Sequence, residues 1–198
     1  MFWGVFTTDD YIIRGMGLFR KSAPGDPLAV TMAGVKRGNR FLAVGVRDPA
    51  LVAVLAGKAG LTGTACAVDA DEAAVRKAAA SIEADGVLAD VTRAPWGMWP
   101  YDEGSFDVAV IRDLLPTLPP GDRSNCVSEV LRVLRPGGRA IVIEPAPRGG
   151  LGALLNRQTI DPDYRGAVKT LQQVGFAAVR ELAERDGVLY VEGIKKTS

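Results

Sequence analysis

Two stretches of this chain carry residue types at a spacing able to hold a ligand. Phe41-Leu-Ala-Val-Gly-Val-Arg-Asp-Pro-Ala50 is an apolar run that meets Gly45 and then an apparent helix start at Asp48 and Pro49. A strand that stops on such a turn aims unpaired backbone N–H groups, and the positive end of the helix dipole, at whatever lies above the sheet. About twenty residues further on, Ala65-Cys-Ala-Val-Asp69 is a second apolar run, and it ends in a carboxylate. A glycine turn followed at this distance by an acid is how α/β nucleotide folds grip a ribose. Later runs also end in charge. Arg112 and Asp113 follow Phe106-Asp-Val-Ala-Val-Ile111, and Glu144 follows Ala140-Ile-Val-Ile143.

Composition removes several other chemistries. The 198 residues include no histidine, so a His general base, a Ser-His triad and a His-ligated metal are all absent. No metal site is expected. Cys66 and Cys126 each sit inside an apolar periodic segment, outside any paired-cysteine motif, and read as buried free thiols of a reducing compartment. A cytoplasmic location is the corresponding expectation. Lys and Arg total 24 against 23 acids, so no global positive field recruits nucleic acid, and no nucleic-acid partner is expected. No Gly-x-x-x-x-Gly-Lys-Ser/Thr loop occurs. Met1-Phe-Trp-Gly-Val-Phe6 soon meets Asp9 and Asp10, too early for a secretory leader, and no run approaches the ~20 apolar residues that span a bilayer.

The elements that must position these groups alternate along the chain. Strands are expected at 41–46, 62–68, 86–89, 106–111 and 140–144. Helices are expected at 48–58, at 71–84 with Val75, Ala79 and Ile82 on one stripe, and at 122–134 with Asp122 as cap. Leu134-Arg-Pro-Gly-Gly138 should end the last of these. After a loop to Pro162, a helix carries Val168, Leu171 and Val174. Strands at 176–183 and 188–192 then turn on Asp186-Gly187, a strong hairpin signal. Strand–helix alternation implies a parallel sheet covered on both faces with right-handed crossovers. The expected fold is thus α/β, doubly wound and Rossmann-like: a mostly parallel seven-stranded sheet with a C-terminal antiparallel hairpin. One domain is expected overall, with an N-terminal helical or lid segment at 1–38 and the sheet domain at 39–198. In the former, Thr8 caps a short helix bearing Ile12, Met16 and Phe19.

Taken in order, the segments between about Asn39 and Lys195 resemble the class I S-adenosylmethionine-dependent methyltransferases, by pattern the small-molecule enzymes of the menaquinone/ubiquinone-biosynthesis type. Val68-Asp-Ala-Asp-Glu-Ala-Ala-Val75 resembles the motif whose acid binds the ribose. Leu88-Ala-Asp-Val91 resembles the segment whose acid meets the adenine amino group. Gly104-Ser-Phe-Asp-Val-Ala109 resembles the entry to the fourth strand. Glu129-Val-Leu-Arg-Val-Leu-Arg-Pro-Gly-Gly-Arg-Ala-Ile-Val-Ile-Glu144 is the most specific stretch, and Val174-Gly-Phe176 adds to it. The first motif departs from the family pattern. Ala43 stands where the family has an acid, Gly45 is kept, and Arg47 and Pro49 stand where later glycines let the backbone approach the methionine half of the cofactor.

The resemblance implies S-adenosylmethionine as cofactor. It places contacts at Gly45, Val46 and Arg47, at Asp69 and Ala70, at Asp90 and Val91, and at Arg112, with no general base assigned. Each position also has a plainer reading. Asp48 and Pro49 suit a helix N-cap and first turn, and Asp69 can cap the helix near Asp71. Asp90 can be a solvated loop carboxylate, and Arg112 with Asp113 a surface ion pair. Arg47 either pairs with the methionine carboxylate or closes the pocket. Trp96 and Trp99 either roof the ligand or anchor their loop, and Glu144 is a further group able to face the acceptor. The leading expectation is methyl transfer to a small, largely apolar acceptor. The alternative is a non-catalytic interaction module that keeps the fold without the cofactor, and a nicotinamide-dependent oxidoreductase fits the later segments poorly. Phe2, Trp3 and Phe6 suit a hydrophobic acceptor, peripheral contact with a membrane surface, or packing on the sheet edge or on another subunit of a homo-oligomer.

Overall fold

The computed structural model describes residues 26–146 and 164–197. The expected helix after Thr8, the residues Phe2, Trp3 and Phe6, and most of the loop before Pro162 lie outside these. Seven strands form one sheet in the order β3-β2-β1-β4-β5-β7-β6. They are β1 Arg40–Val44, β2 Thr64–Asp69, β3 Asp90–Arg93, β4 Phe106–Arg112, β5 Leu134–Pro145, β6 Ala177–Arg185 and β7 Val188–Ile194. The first five run parallel, and β7 enters antiparallel between β5 and β6. The mostly parallel, doubly wound sheet with a terminal hairpin is therefore present. Asp186 (φ 53°) and Gly187 (φ 75°) both take the left-handed backbone that a two-residue hairpin turn requires.

Among the described residues, five helices cover the sheet: α1 Pro27–Ala33, α2 Pro49–Ala59, α3 Glu72–Ala84, α4 Pro120–Val133 and α5 Ala167–Val174. Alternation along β1 shows why its run is continuously apolar. Phe41 and Ala43 pack with α1, α2 and α3 on one face, whereas Leu42 and Val44 join the core under α4 and α5 on the other. Both faces are dry, so the strand register is strongly specified.

Three helix starts follow one local rule. Asp26, Asp48 and Asp71 each accept a backbone N–H from the first turn of α1, α2 and α3, and Pro27 and Pro49 occupy first-turn positions where no N–H is missed. The fourth start differs from expectation. Pro119 occupies the cap position of α4, and Asp122 lies inside the first turn, where it complements the helix dipole without capping.

Strand boundaries shift by a residue or two elsewhere, and two differ by more. The third strand opens at Asp90, not Gly86, because Gly86 (φ 70°) closes α3 through its N–H to Glu83 O and the chain must then return to the sheet. Its first pairing is Asp90 with Cys66. The fifth strand begins at Leu134, directly after α4. Phe106 pairs with Leu134 and Val108 with Arg139, so Arg135-Pro-Gly-Gly138 bulges out of the ladder. Gly137 N donates to Lys195 O and Lys195 N to Gly138 O, which satisfies the bulge from the end of β7. Among the described residues, no helix is long and apolar enough to cross a membrane.

Candidate functional site

The strand order reverses between β1 and β4, since β2 and β3 lie to one side of β1, and β4 and β5 to the other. In open α/β sheets the crevice at the carboxyl ends beside such a reversal is where ligands bind. The turn after β1 forms its floor. Gly45 has φ 79°, and its N–H donates to Val68 O at 2.8 Å. A β-carbon here would stand 3.2 Å from Leu114 Cδ2, so the turn and the loop after β4 are in close contact. Val46 buries its side chain in the α1–α3 face of the core and turns its N–H toward β2.

That N–H meets Asp69. Asp69 Oδ2 accepts from Val46 N at 3.0 Å, and Oδ1 accepts from Asp71 N at 3.0 Å. The carboxylate thus ties the turn after β1 to the start of α3 at the crevice edge. Helix capping itself falls to Asp71, whose Oδ1 accepts from Ala73 N at 2.8 Å. Ala70 follows at the same edge, and its carbonyl accepts from Arg93 Nε at 3.4 Å.

Arg47 is exposed and leans the other way. Its Nη2 donates to Thr117 Oγ1 at 3.0 Å, in the short 3-10 turn Leu115–Thr117 that follows β4. With β1 between β2 and β4, this contact lies on the side of the turn opposite Asp69. Pro49 is the first residue of α2.

Beneath Arg47 is a charge network. Arg112 is 5% exposed, and its guanidinium lies 3.4 Å from Asp48 Oδ2, 3.6 Å from Asp113 Oδ2 and 3.9 Å from Asp26 Oδ2. Tyr190 on β7 donates its hydroxyl to Asp26 Oδ2 at 3.2 Å. One buried cation therefore joins the starts of α1 and α2 to the end of β4. Burial pushes the Asp113 carboxyl above the usual carboxylate range, and neighbouring Arg112 and Arg47 offset part of that rise. Burial beside Asp26 pushes the Tyr190 phenol up to about 12.

Of the residues expected at the site, Gly45, Val46, Arg47, Asp69, Ala70 and Arg112 come together at this rim. Asp90 and Val91 do not. They open β3 instead of closing it, so register sets Asp90 beside Cys66 and gives the position next to Asp69 to Arg93. Asp90 is about 10 Å along the strand from the crevice at the usual rise per residue. Trp99 does not roof the ligand either. It is 5% exposed in the core, with its backbone N–H on Glu129 Oε2 and its carbonyl accepting from Arg132 on α4.

Glu144 turns out to be structural. It is 1% exposed at the end of β5 and accepts from the Tyr164 hydroxyl and, at 2.9 Å, from the N–H of Ala167, the first residue of α5 after its N-cap Gly166. Arg123 stacks its guanidinium 4.6 Å above the Tyr164 ring and donates to the carbonyls of Leu115 and Leu118. Asp26 and Thr117 are site residues that sequence reading passed over. The Asp26-Pro27 pair repeats the signal of Asp48-Pro49 and was sufficient to place Asp26 at a helix start; Thr117 carries no such signal.

Comparison with known proteins agrees with this geometry. Residues 42–138 match the family model described as a methyltransferase domain. An uncharacterized protein of Haemophilus influenzae is 30% identical over 64% of this chain and 57% of its own length. The ubiquinone/menaquinone biosynthesis C-methyltransferase of Idiomarina loihiensis is 26% identical over 58% of this chain and 46% of its own. The chain thus spans about half the length of these curated relatives. The crystal structure of a SAM-dependent methyltransferase from Aquifex aeolicus shares the fold with a TM-score of 0.71 at 18% identity, covering 87% of this chain and 89% of that one. Residues 42–138 thus match a methyltransferase domain, and the chain is similar in fold to a SAM-dependent methyltransferase.

Proposed function

We propose that the protein binds S-adenosylmethionine at the rim between Gly45 and Asp69 and transfers its methyl group to a small, largely apolar acceptor. The observation that carries this reading is the Asp69 carboxylate, fixed at the crevice edge by Val46 N–H and Asp71 N–H beside a left-handed glycine turn. A carboxylate offers about four acceptor sites. Two are used by these backbone groups, and the others suit the two hydroxyls of a ribose.

The other half of the ligand has partners as well. Arg47 is an exposed donor at the rim, able to leave Thr117 for the methionine carboxylate. Asp48 and Asp113 place negative charge near where a sulfonium would lie. The sulfonium supplies an activated methyl carbon, so the protein's part is alignment of donor and acceptor and exclusion of water. This explains how a chain without histidine can serve.

The apolar acceptor is supported by the likeness to the quinone-biosynthesis enzyme and by Phe2, Trp3 and Phe6 in the segment 1–38. That segment acts as the lid, and residues 39–198 hold the cofactor. Asp26, within hydrogen-bonded reach of Tyr190 and 3.9 Å from Arg112, ties its last part to the crevice. Native mass spectrometry of the full chain, purified and then incubated with S-adenosylmethionine, tests the reading. A one-to-one adenosyl adduct that Asp69→Ala abolishes is the expected result. The unliganded mass alone, at millimolar cofactor, overturns it.

A further inference from the structure

Five carboxylates stand at or just behind the crevice, and four of them hold backbone N–H groups. Asp69 holds two, Asp26 caps α1 through Leu28 N at 3.0 Å, Asp48 caps α2 through Leu51 N at 3.0 Å, and Glu144 accepts from Ala167 N at the start of α5. Asp113 caps no helix. Its backbone N–H still continues the ladder to Ile143 O at 2.9 Å, yet its φ of 50° turns the chain out of the sheet at that point. Aspartate is among the few side chains that adopt this left-handed backbone readily, and here it carries the carboxylate off the end of β4. The Asp113 side chain is 38% exposed, whereas that of Arg112 beside it is 6% exposed. One group of the pair keeps partial access to solvent and the other is interred.

We propose that Asp113 is the general base of the methyl transfer and that the acceptor reacts through an acidic hydroxyl, a phenol or an enol. The proposal rests on the methyltransferase reading above. Arg112 cannot fully neutralise Asp113, because the same guanidinium also faces Asp48 and Asp26. With no histidine in the chain the base is a carboxylate, and so weak a base draws a proton only from an acceptor whose hydroxyl is itself acidic. In the step, the acceptor O–H breaks, its proton passes to an Asp113 oxygen and its electron pair stays with the acceptor. That pair, on oxygen or on the conjugated carbon, forms the bond to the methyl carbon. The carbon–sulfur bond of the donor breaks with its pair on sulfur, leaving a neutral thioether. For C-methylation, the proton on the methylated carbon is then lost to solvent and the acceptor oxygen regains one. Asp113 finally releases its proton to solvent.

Groups facing Asp113 come from every neighbouring element: Arg47 and Asp48 from the turn after β1, Arg112 from β4, Glu144 from β5 and Tyr190 from β7. The experiment compares the full chain with Asp113→Asn, since asparagine tolerates the left-handed backbone and removes the basic oxygen. Calorimetry with S-adenosylhomocysteine is run beside transfer from S-adenosylmethionine to hydroquinone, to a 1,3-diketone and to aniline. Equal affinity for the thioether, with kcat toward the hydroxyl and enol acceptors lower by roughly 10²–10⁴-fold in the variant and partly recovered at high pH, supports the assignment. Unchanged kcat in the variant, transfer to aniline alone, or no transfer by the parent to hydroquinone or the diketone overturns it. Failure of both proteins to bind the thioether instead overturns the methyltransferase reading.

Discussion

Asp69→Asn separates the structural duty of the rim carboxylate from its ligand duty. An asparagine oxygen can accept one of the two N–H groups that Asp69 now holds at 3.0 Å, but its amide nitrogen must then face the other. The stranded group is either Val46 N–H, on a residue 4% exposed, or Asp71 N–H. A hydrogen bond to a charged group contributes about 1.5–3 kcal/mol, and a buried donor left unpaired costs a similar amount. Because the loss of the bond and the stranding are two views of one event, the expected destabilisation is about 2–3 kcal/mol, not their sum. Against a total stability of about 5–15 kcal/mol, that is a large fraction which the fold survives. Urea denaturation followed by circular dichroism should show a lower midpoint with an unchanged slope. A variant within about 0.5 kcal/mol of the parent would show that the carboxylate does not join the two turns, and the derivation of the site would fail with it.

Two further perturbations act on other parts of the same rim. Gly45→Ala places a β-carbon 3.2 Å from Leu114 Cδ2 in a left-handed backbone and should cost about 1–3 kcal/mol in thermal unfolding, whereas equal stability would mean that the turn relaxes freely. Burial pushes the Glu144 carboxyl above its ordinary 4.5, against smaller opposing pulls from Tyr164 and Ala167 N–H. A folded-state value raised in this way makes stability greatest below 4.5 and reduces it as pH rises through the folded value. Glu144→Gln should flatten that descending part of the stability profile, and an unchanged slope in urea midpoints against pH would refute the burial argument.

What could be read from the residues was set by how local each signal is. Asp48-Pro49 and Asp186-Gly187 carry their structures within two residues, as a helix start and a tight turn, and both form. Apolar runs with no polar alternation announced strands covered on both sides, which gave the sheet its class and its rim. Errors arose where distant contacts decide. The beginning of β3 depends on where the chain meets Cys66 after Gly86 closes α3, and nothing inside Val87-Leu-Ala-Asp90 says so. Leu134-Arg-Pro-Gly-Gly138 does end α4 as expected, and that it also forms a bulge of β5 depends on β4 and the end of β7, which supply its partners. Glu144 resembled a ligand group by its place at a strand end, yet the N-terminus of α5 claims it. Arg112 was recognisable as a rim residue. That it binds three carboxylates from separate elements required the fold.

The adenosyl berth is most directly tested by isothermal titration of the full chain with S-adenosylhomocysteine. Saturable one-site heat is predicted, with a dissociation constant between about 1 μM and 1 mM, the ordinary range for enzyme ligands. Asp69→Asn should weaken it by roughly 10–150-fold, the worth of one charge-assisted hydrogen bond. No heat at millimolar thioether, or undiminished affinity in the variant, would contradict the account.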